Sequence, residues 1–287
     1  MSDPRSPAPD PRSPAPDASS PASGSRQASL RLAASLEGPP GAPVLVLGNS
    51  LGTTSAVWDR QVPSFLSDFL LLRYEHPGHG GSAAPPGPYT VGELGAAVLR
   101  LLDDRGIERA AYCGISLGGM VGMWLAANSP DRITALGLLC TSAWLPPKSG
   151  WAARADQVRS AGMASISQMI VGRWFTPAFT ARYPEVPASF TAEFERTDPV
   201  GYAGCCLAIA AMDLRARLGA ISASTLVIAG AQDPATPPAY GATIAARIGG
   251  ARLVVIRRAA HLANVSAPGE VTSVLLAHLR ANNRPAN

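Results

Sequence analysis

Short apolar runs alternate with longer amphipathic ones along most of this chain. Runs of strand length fall at Ser29–Leu36, Val44–Leu47, Phe69–Tyr74, Arg109–Cys113, Ala135–Cys140, Thr225–Ala229 and Arg252–Ile256. Several are apolar throughout rather than at every second position, as in strands covered on both faces. Helical patterns lie between most of them, at Trp58–Leu66, Val91–Asp104, Leu117–Asn128 and Val271–Ala281. This alternation predicts an α/β class: a mostly parallel, doubly wound sheet with helices on both faces.

One interval breaks the rhythm. The stretch from Cys140 to Thr225 is far longer than a crossover helix needs, and prolines divide it into helical segments at Trp151–Met163, Ser165–Trp174 and Val200–Asp213. Residues 143–218 are therefore expected to form a helical lid inserted into a core made of residues 29–142 and 219–287. Such an insertion shapes a pocket above the strand ends, where open α/β sheets take ligands.

Composition changes this picture in three places. Residues 1–28 carry a tandem heptapeptide, Asp3–Pro9 repeated as Asp10–Pro16, with few bulky apolar residues; a Pro-rich, disordered tail is expected. It lacks the basic start and apolar stretch of a secretory signal, and no apolar run is long enough for a membrane span, so a cytoplasmic protein without a membrane partner is expected. The net charge of +4 is spread over scattered arginines with a single lysine, Lys148, which gives no basic, aromatic-interleaved face for nucleic acid. Cys113, Cys140, Cys205 and Cys206 show no metal-ligand spacing and read as reduced, packed thiols.

The chemistry begins at Gly114-Ile-Ser-Leu-Gly118. A Gly-x-Ser-x-Gly run between a buried strand and a buried helix places Ser116 on a sharp, strained turn, with small residues where neighbouring chains approach. The Leu117 amide then lies at a helix N-terminus, where free N–H groups favour developing negative charge.

A serine hydroxyl needs a base. Of the four histidines, His278 sits in the last amphipathic helix, where a surface position is the default, and His76 and His79 lie in the turn Glu75-His-Pro-Gly-His-Gly. His261 follows the last strand directly, at the same sheet end as Ser116, and is the expected base. A carboxylate must orient it. Asp233 follows the strand Thr225–Ala229 at that end, whereas the loop after Leu139-Cys-Thr-Ser142 offers no acid. A second oxyanion amide is expected after the strand Val44–Leu47, in Gly48-Asn-Ser-Leu-Gly-Thr53, and is assigned to Leu51; the side chains of Asn49 and Ser50 are expected to orient substrate or shape the loop.

The order Ser116, Asp233, His261 is that of α/β-hydrolases. From about residue 30 to residue 280 the chain resembles a particular branch of them, the 3-oxoadipate enol-lactonases. The resemblance rests on Asn49-Ser-Leu-Gly-Thr53 where many hydrolases carry His-Gly, on Arg173-Trp-Phe-Thr-Pro-Ala-Phe179, and on Gly201-Tyr-Ala-Gly-Cys-Cys-Leu-Ala-Ile209 with Met212-Asp-Leu-Arg215. His76-Pro77, in place of an arginine before Gly-His-Gly, and Trp144 at the lid entrance depart from the pattern.

The resemblance implies an acyl-enzyme reaction on a small lactone, with no metal or cofactor and with Ser116, Asp233 and His261 as triad. The substrate of that family carries a free carboxylate. Arg154, Arg159 and Arg173 are candidate partners for it, with Trp151 and Trp174 as pocket walls. Another lid-bearing carboxylesterase, a carbon–carbon bond hydrolase, or a receptor using an inherited triad are the competing readings. Enzymes that need an aspartate nucleophile are disfavoured by Ser116.

Overall fold

A computed structural model describes residues 30–282 of the chain. The proposed tail, and the first residue of the run Ser29–Leu36, lie outside the described residues. Seven strands form one sheet in the order β1-β3-β2-β4-β5-β6-β7. They are β1 Ala34–Glu37, β2 Val44–Gly48, β3 Leu70–Tyr74, β4 Ala110–Ile115, β5 Ile133–Leu139, β6 Ser224–Gly230 and β7 Arg252–Ile256. β1 pairs with β3 antiparallel, and every other pairing is parallel.

The central strands explain their own sequences. Every residue of β4 is buried, as are all of β5 but Thr134 and all of β6 but Ser224. A strand covered on both faces has no polar face to alternate with, so it reads as one apolar run. The helix Leu117–Asn128 has the same character: ten of its twelve residues are buried. The helix Val91–Asp103 instead keeps one wet face. Its start is fixed by a capping box, in which Thr90 Oγ1 accepts from the Glu93 amide at 3.1 Å and the Glu93 carboxylate accepts from the Thr90 amide at 2.8 Å.

Between β5 and β6 lie five α-helices, Lys148–Ala161, Ser167–Val171, Pro177–Arg182, Glu185–Glu195 and Pro199–Ala211. Lys148–Ala161 and Pro199–Ala211 pack against each other. Trp174 meets Phe190 and Phe194 edge-on, and Phe194 meets Tyr202 likewise, which joins the connection carrying Trp174 to the helices Glu185–Glu195 and Pro199–Ala211 through one aromatic cluster. Cys205 and Cys206 are free and buried.

Three local expectations are corrected. The segment Trp58–Leu66 is not one helix but a 3-10 turn, Ser55–Trp58, followed by a single α-turn, Val62–Phe65, because Pro63 removes a donor and starts a new turn. The segment Ser165–Trp174 holds only the short helix Ser167–Val171, which stops at Gly172. His278 is buried rather than on the surface; the last helix, Pro268–Asn282, packs against β5 and β6, and His278 faces that core. No helix among the described residues is long and apolar enough to cross a membrane.

Candidate active site

Ser116 stands between β4 and the helix Leu117–Asn128 with φ 54° and ψ −115°. L-residues rarely adopt this conformation, and it persists only where the surroundings enforce it. Here the Ser116 amide donates to the Leu139 carbonyl at 2.9 Å, and Thr141 Oγ1 donates to the Ser116 carbonyl at 2.7 Å. The glycines flanking it are steric requirements. A Cβ on Gly114 would lie 2.3 Å from the Gly118 backbone, and one on Gly118 would lie 2.4 Å from the Gly48 carbonyl.

His261 and Asp233 follow β7 and β6 and meet at the same end of the sheet. His261 Nδ1 lies 2.8 Å from Asp233 Oδ2. Both side chains are buried, at 5% and 0% exposure. Asp233 also accepts from the Ala235 amide at 2.8 Å, the Thr236 amide at 3.0 Å and Thr236 Oγ1 at 2.7 Å. Burial pushes the Asp233 carboxyl up, but attraction to His261 and these donors outweigh it and hold it below the ordinary carboxylate value. Asp233 is thus an anion at neutral pH, facing the nitrogen that would donate to it.

A cavity of about 360 Å³ opens above Ser116. Ser50, Leu51, Ser116 and His261 line its floor, and Trp151, Arg154, Arg173, Trp174 and Tyr202 line the part contributed by the helices between β5 and β6. Arg154 is half-buried and stacks over the Trp151 ring, 4.3 Å from its centroid, whereas Arg173 is exposed. Arg159 does not reach the cavity; it lies on the surface, 3.9 Å from Asp156. Tyr202 Oη is fully buried, and Arg154 is its charged neighbour.

Asn49 is placed differently from a substrate contact. It is buried behind the cavity wall, and its amide nitrogen donates to the Tyr74 carbonyl at 2.8 Å and to Glu75 at 3.0 Å. Of the two roles expected for Asn49 it takes the shaping of the loop, because β3 offers acceptors on the side away from the cavity. Ser50 stays on the cavity wall. Among the described residues, no protein group accepts from the Leu51 or the Leu117 amide. Trp144 is absent from the cavity and lies under Arg215, whose guanidinium carbon is 4.2 Å from the ring centroid.

Sequence reasoning passed over Thr236, although a threonine three residues after an aspartate sits within reach of its carboxylate. It also left His76 and His79 without a role. Both are buried against the backbone of the Asn49–Gly52 loop, through contacts between residues 27 apart in the chain that no local pattern reveals.

A strained serine at a strand–helix turn and a buried His–Asp pair at the same sheet end fit a hydrolase of the α/β class. The family model for the alpha/beta hydrolase fold matches residues 43–268, and the chain belongs to that family. Within it, the chain belongs with the 3-oxoadipate enol-lactonases. It is 40% identical over 226 residues to "3-oxoadipate enol-lactonase 2" of Acinetobacter baylyi, covering 79% of this chain and 84% of that protein. Among solved structures it superposes on the enol-lactonase from Burkholderia xenovorans LB400 with a TM-score of 0.85 at 39% identity, covering 87% of this chain and 96% of the other. More distantly, it superposes on a thermophilic esterase from Thermogutta terrifontis with malate bound, with a TM-score of 0.83 at 27% identity, covering 88% and 94% of the two chains. The protein is a hydrolase.

Proposed function

We propose that this hydrolase opens 3-oxoadipate enol-lactone to 3-oxoadipate, in the β-ketoadipate route of aromatic catabolism in the cytoplasm. One observation carries the reading: Ser116, His261 and the half-buried Arg154 face a single cavity of about 360 Å³, a size suited to a small ligand. The resemblance to the enol-lactonases supports the choice of substrate.

In this reading His261 takes the Ser116 proton as Oγ attacks the lactone carbonyl, and Asp233 stabilises the imidazolium. The Leu51 and Leu117 amides hold the tetrahedral oxyanion. Collapse breaks the ring C–O bond, the leaving enolate oxygen takes the proton held by His261, and the enol so formed tautomerises to the ketone of 3-oxoadipate, which leaves His261 neutral. Water then attacks the acyl-serine as His261 takes its proton, and that proton returns to Ser116 Oγ as the acyl C–O bond breaks and the second carboxylate is freed. Because an enolate leaves more readily than an alkoxide, oxyanion stabilisation carries more of the barrier than general-acid help to the leaving group.

The free carboxylate of the substrate would pair with Arg154. Stacking on Trp151 holds the guanidinium plane, and the buried Tyr202 Oη beside Arg154 supplies an O–H donor. Arg173, being exposed, is the weaker choice for a charge pair.

The test is a side-by-side assay of enzymatically generated enol-lactone, followed by its ultraviolet absorbance, and a neutral aryl ester. A kcat/KM for the lactone well above that for the ester supports the reading. Fast ester cleavage without lactone turnover would instead make the protein a general carboxylesterase.

A further inference from the structure

Three buried histidines lie outside the triad, and two of them, His76 and His79, touch the loop that carries the Leu51 amide. His79 is 0% exposed and His76 1%. The Gly52 amide donates to His79 Nε2 at 2.9 Å, while His79 Nδ1 lies 2.9 Å from the Pro77 carbonyl. A carbonyl can only accept, so Nδ1 carries the proton and Nε2 is the bare acceptor. His76 Nε2 lies 3.0 Å from the Asn49 carbonyl, which fixes the opposite tautomer: here Nε2 carries the proton.

The loop's peptide groups show what these bonds accomplish. The Asn49 carbonyl accepts both from His76 and from the Gly118 amide at 2.9 Å, next to the Leu117 amide. The Ser50 carbonyl accepts from the Thr53 amide at 3.1 Å and from Thr53 Oγ1 at 3.0 Å. The Gly52 amide is bound to His79. The peptide between Ser50 and Leu51 is therefore held by its own carbonyl and by both neighbouring peptides. Its N–H, opposite that carbonyl in a trans peptide, is the group left for a ligand.

We propose that His79 and His76 are positioning residues of the oxyanion hole, one accepting from the Gly52 amide and the other donating to the Asn49 carbonyl, so that the Leu51 N–H is aimed before the reaction begins. The proposal rests on the assignment of Leu51 made above. It fits the physical demand on such donors, which act most strongly when they need no reorganisation as charge develops. It also needs both rings neutral. Burial supplies that: it lowers His76 to about 3 and His79 to about 4, with the neighbouring His79 ring adding to the effect on His76. The rings meet edge-on at 6.0 Å, and His79 stacks against Tyr202 at 6.4 Å, so neither can rotate away without disturbing the cavity wall.

Two measurements test it. Long-range 1H–15N NMR of the intact wild-type protein at neutral pH should show His79 protonated on Nδ1 and bare on Nε2, and His76 the reverse; a His79 ring protonated on Nε2 would overturn the proposal. In kinetics, His79→Phe removes the acceptor and His79→Gln restores one through Oε1. His79→Phe should lower kcat by about 10- to 100-fold, a part of what loss of a whole oxyanion donor removes, with KM changed by less than ~3-fold. It should weaken inhibition by a serine-trapping boronic acid to a similar degree, and leave binding of 3-oxoadipate unchanged. His79→Gln should recover most of the loss.

A merely structural histidine would lower thermal stability while leaving kcat of the folded protein and the boronate affinity intact, and that result would overturn the proposal, as would equal behaviour of the two variants. If His79→Phe does not fold, the tautomer and His79→Gln decide. If wild type cleaves the aryl ester but not the lactone, the substrate reading fails while the same comparison, run with the ester, still judges the loop.

Discussion

Thr236 Oγ1 and His261 Nδ1 meet on one atom, Asp233 Oδ2, at 2.7 and 2.8 Å. Two donors on one buried oxygen leave the carboxylate a single orientation, and that orientation selects the His261 tautomer with the proton on Nδ1 and a bare Nε2. Asp233→Asn would present an amide donor to Nδ1 and favour the wrong tautomer. The expected result is a fall in kcat of about 10⁴-fold with the fold intact, by analogy with the same change in other serine triads. Steady-state kinetics with a circular dichroism melt alongside checks it; a loss below ~10-fold would remove Asp233 from the triad.

Arg154→Leu separates charge recognition from catalysis. Losing a hydrogen-bonded ion pair removes roughly 1.5–3 kcal/mol, or about 10- to 100-fold in affinity. KM for the carboxylate-bearing lactone should rise by that factor, while kcat/KM for a neutral aryl ester stays within ~3-fold. Equal losses on both substrates would mean that Arg154 supports the wall of the cavity rather than the substrate.

His76 and His79 also tie stability to pH. Unfolded, both take up protons near pH 6.5; folded, they do so only at about 3 and about 4. Their contribution is complete above about 6.5 and is lost as pH falls from there toward the folded values, because the unfolded chain binds more protons throughout that window. Two protons per molecule correspond to a slope of roughly 3 kcal/mol per pH unit at most, and His278, lowered chiefly by burial, acts in the same direction. Glu75, raised chiefly by burial, acts the opposite way and returns stability as pH falls through the carboxylate range. Urea midpoints at pH 7 and pH 5 check this: the midpoint at pH 5 should be clearly lower, and the drop should shrink in His79→Gln. Equal midpoints would contradict the buried, neutral histidines.

Gly118→Ala tests the elbow's packing. The new methyl would stand 2.4 Å from the Gly48 carbonyl carbon and oxygen, backbone that cannot rotate aside. A loss of at least ~1–3 kcal/mol is expected for such overpacking, together with loss of activity, since Gly48 leads into the Asn49–Gly52 loop. A thermal melt and a kinetic assay on the same preparation would show it; a variant as stable and active as wild type would contradict the contact.

Periodicity and turn chemistry revealed those parts of the molecule that local forces decide. The helix Leu117–Asn128 runs as its apolar pattern predicts, up to Ser129-Pro130, and β7 spans the expected Arg252–Ile256. Helices whose formation depends on what they pack against were less legible. Pro177–Arg182, Glu185–Glu195 and Pro238–Ala245 show no clean apolar stripe, and two of them bury at most one side chain.

The same division runs through the site. Ser116, Asp233 and His261 each follow a strand, so chain order places them at one sheet edge. The side chains that cross between loops were invisible for a physical reason. Asn49 turns away from the cavity because β3 offers it the Tyr74 carbonyl and Glu75. His76 and His79 find their partners on a loop that precedes them by a whole strand and its connection. His278 follows an amphipathic pattern that says one face is buried without saying which residues form it.

If Ser116 opens a carboxylate-bearing enol-lactone in this cavity, turnover must depend on its hydroxyl. The deciding measurement is the loss of enol-lactone absorbance with wild type and with Ser116→Ala, each confirmed as folded. Rapid turnover by wild type and a fall in kcat of at least ~10³-fold in the variant are expected. Lactone turnover that survives the substitution would contradict that role of Ser116.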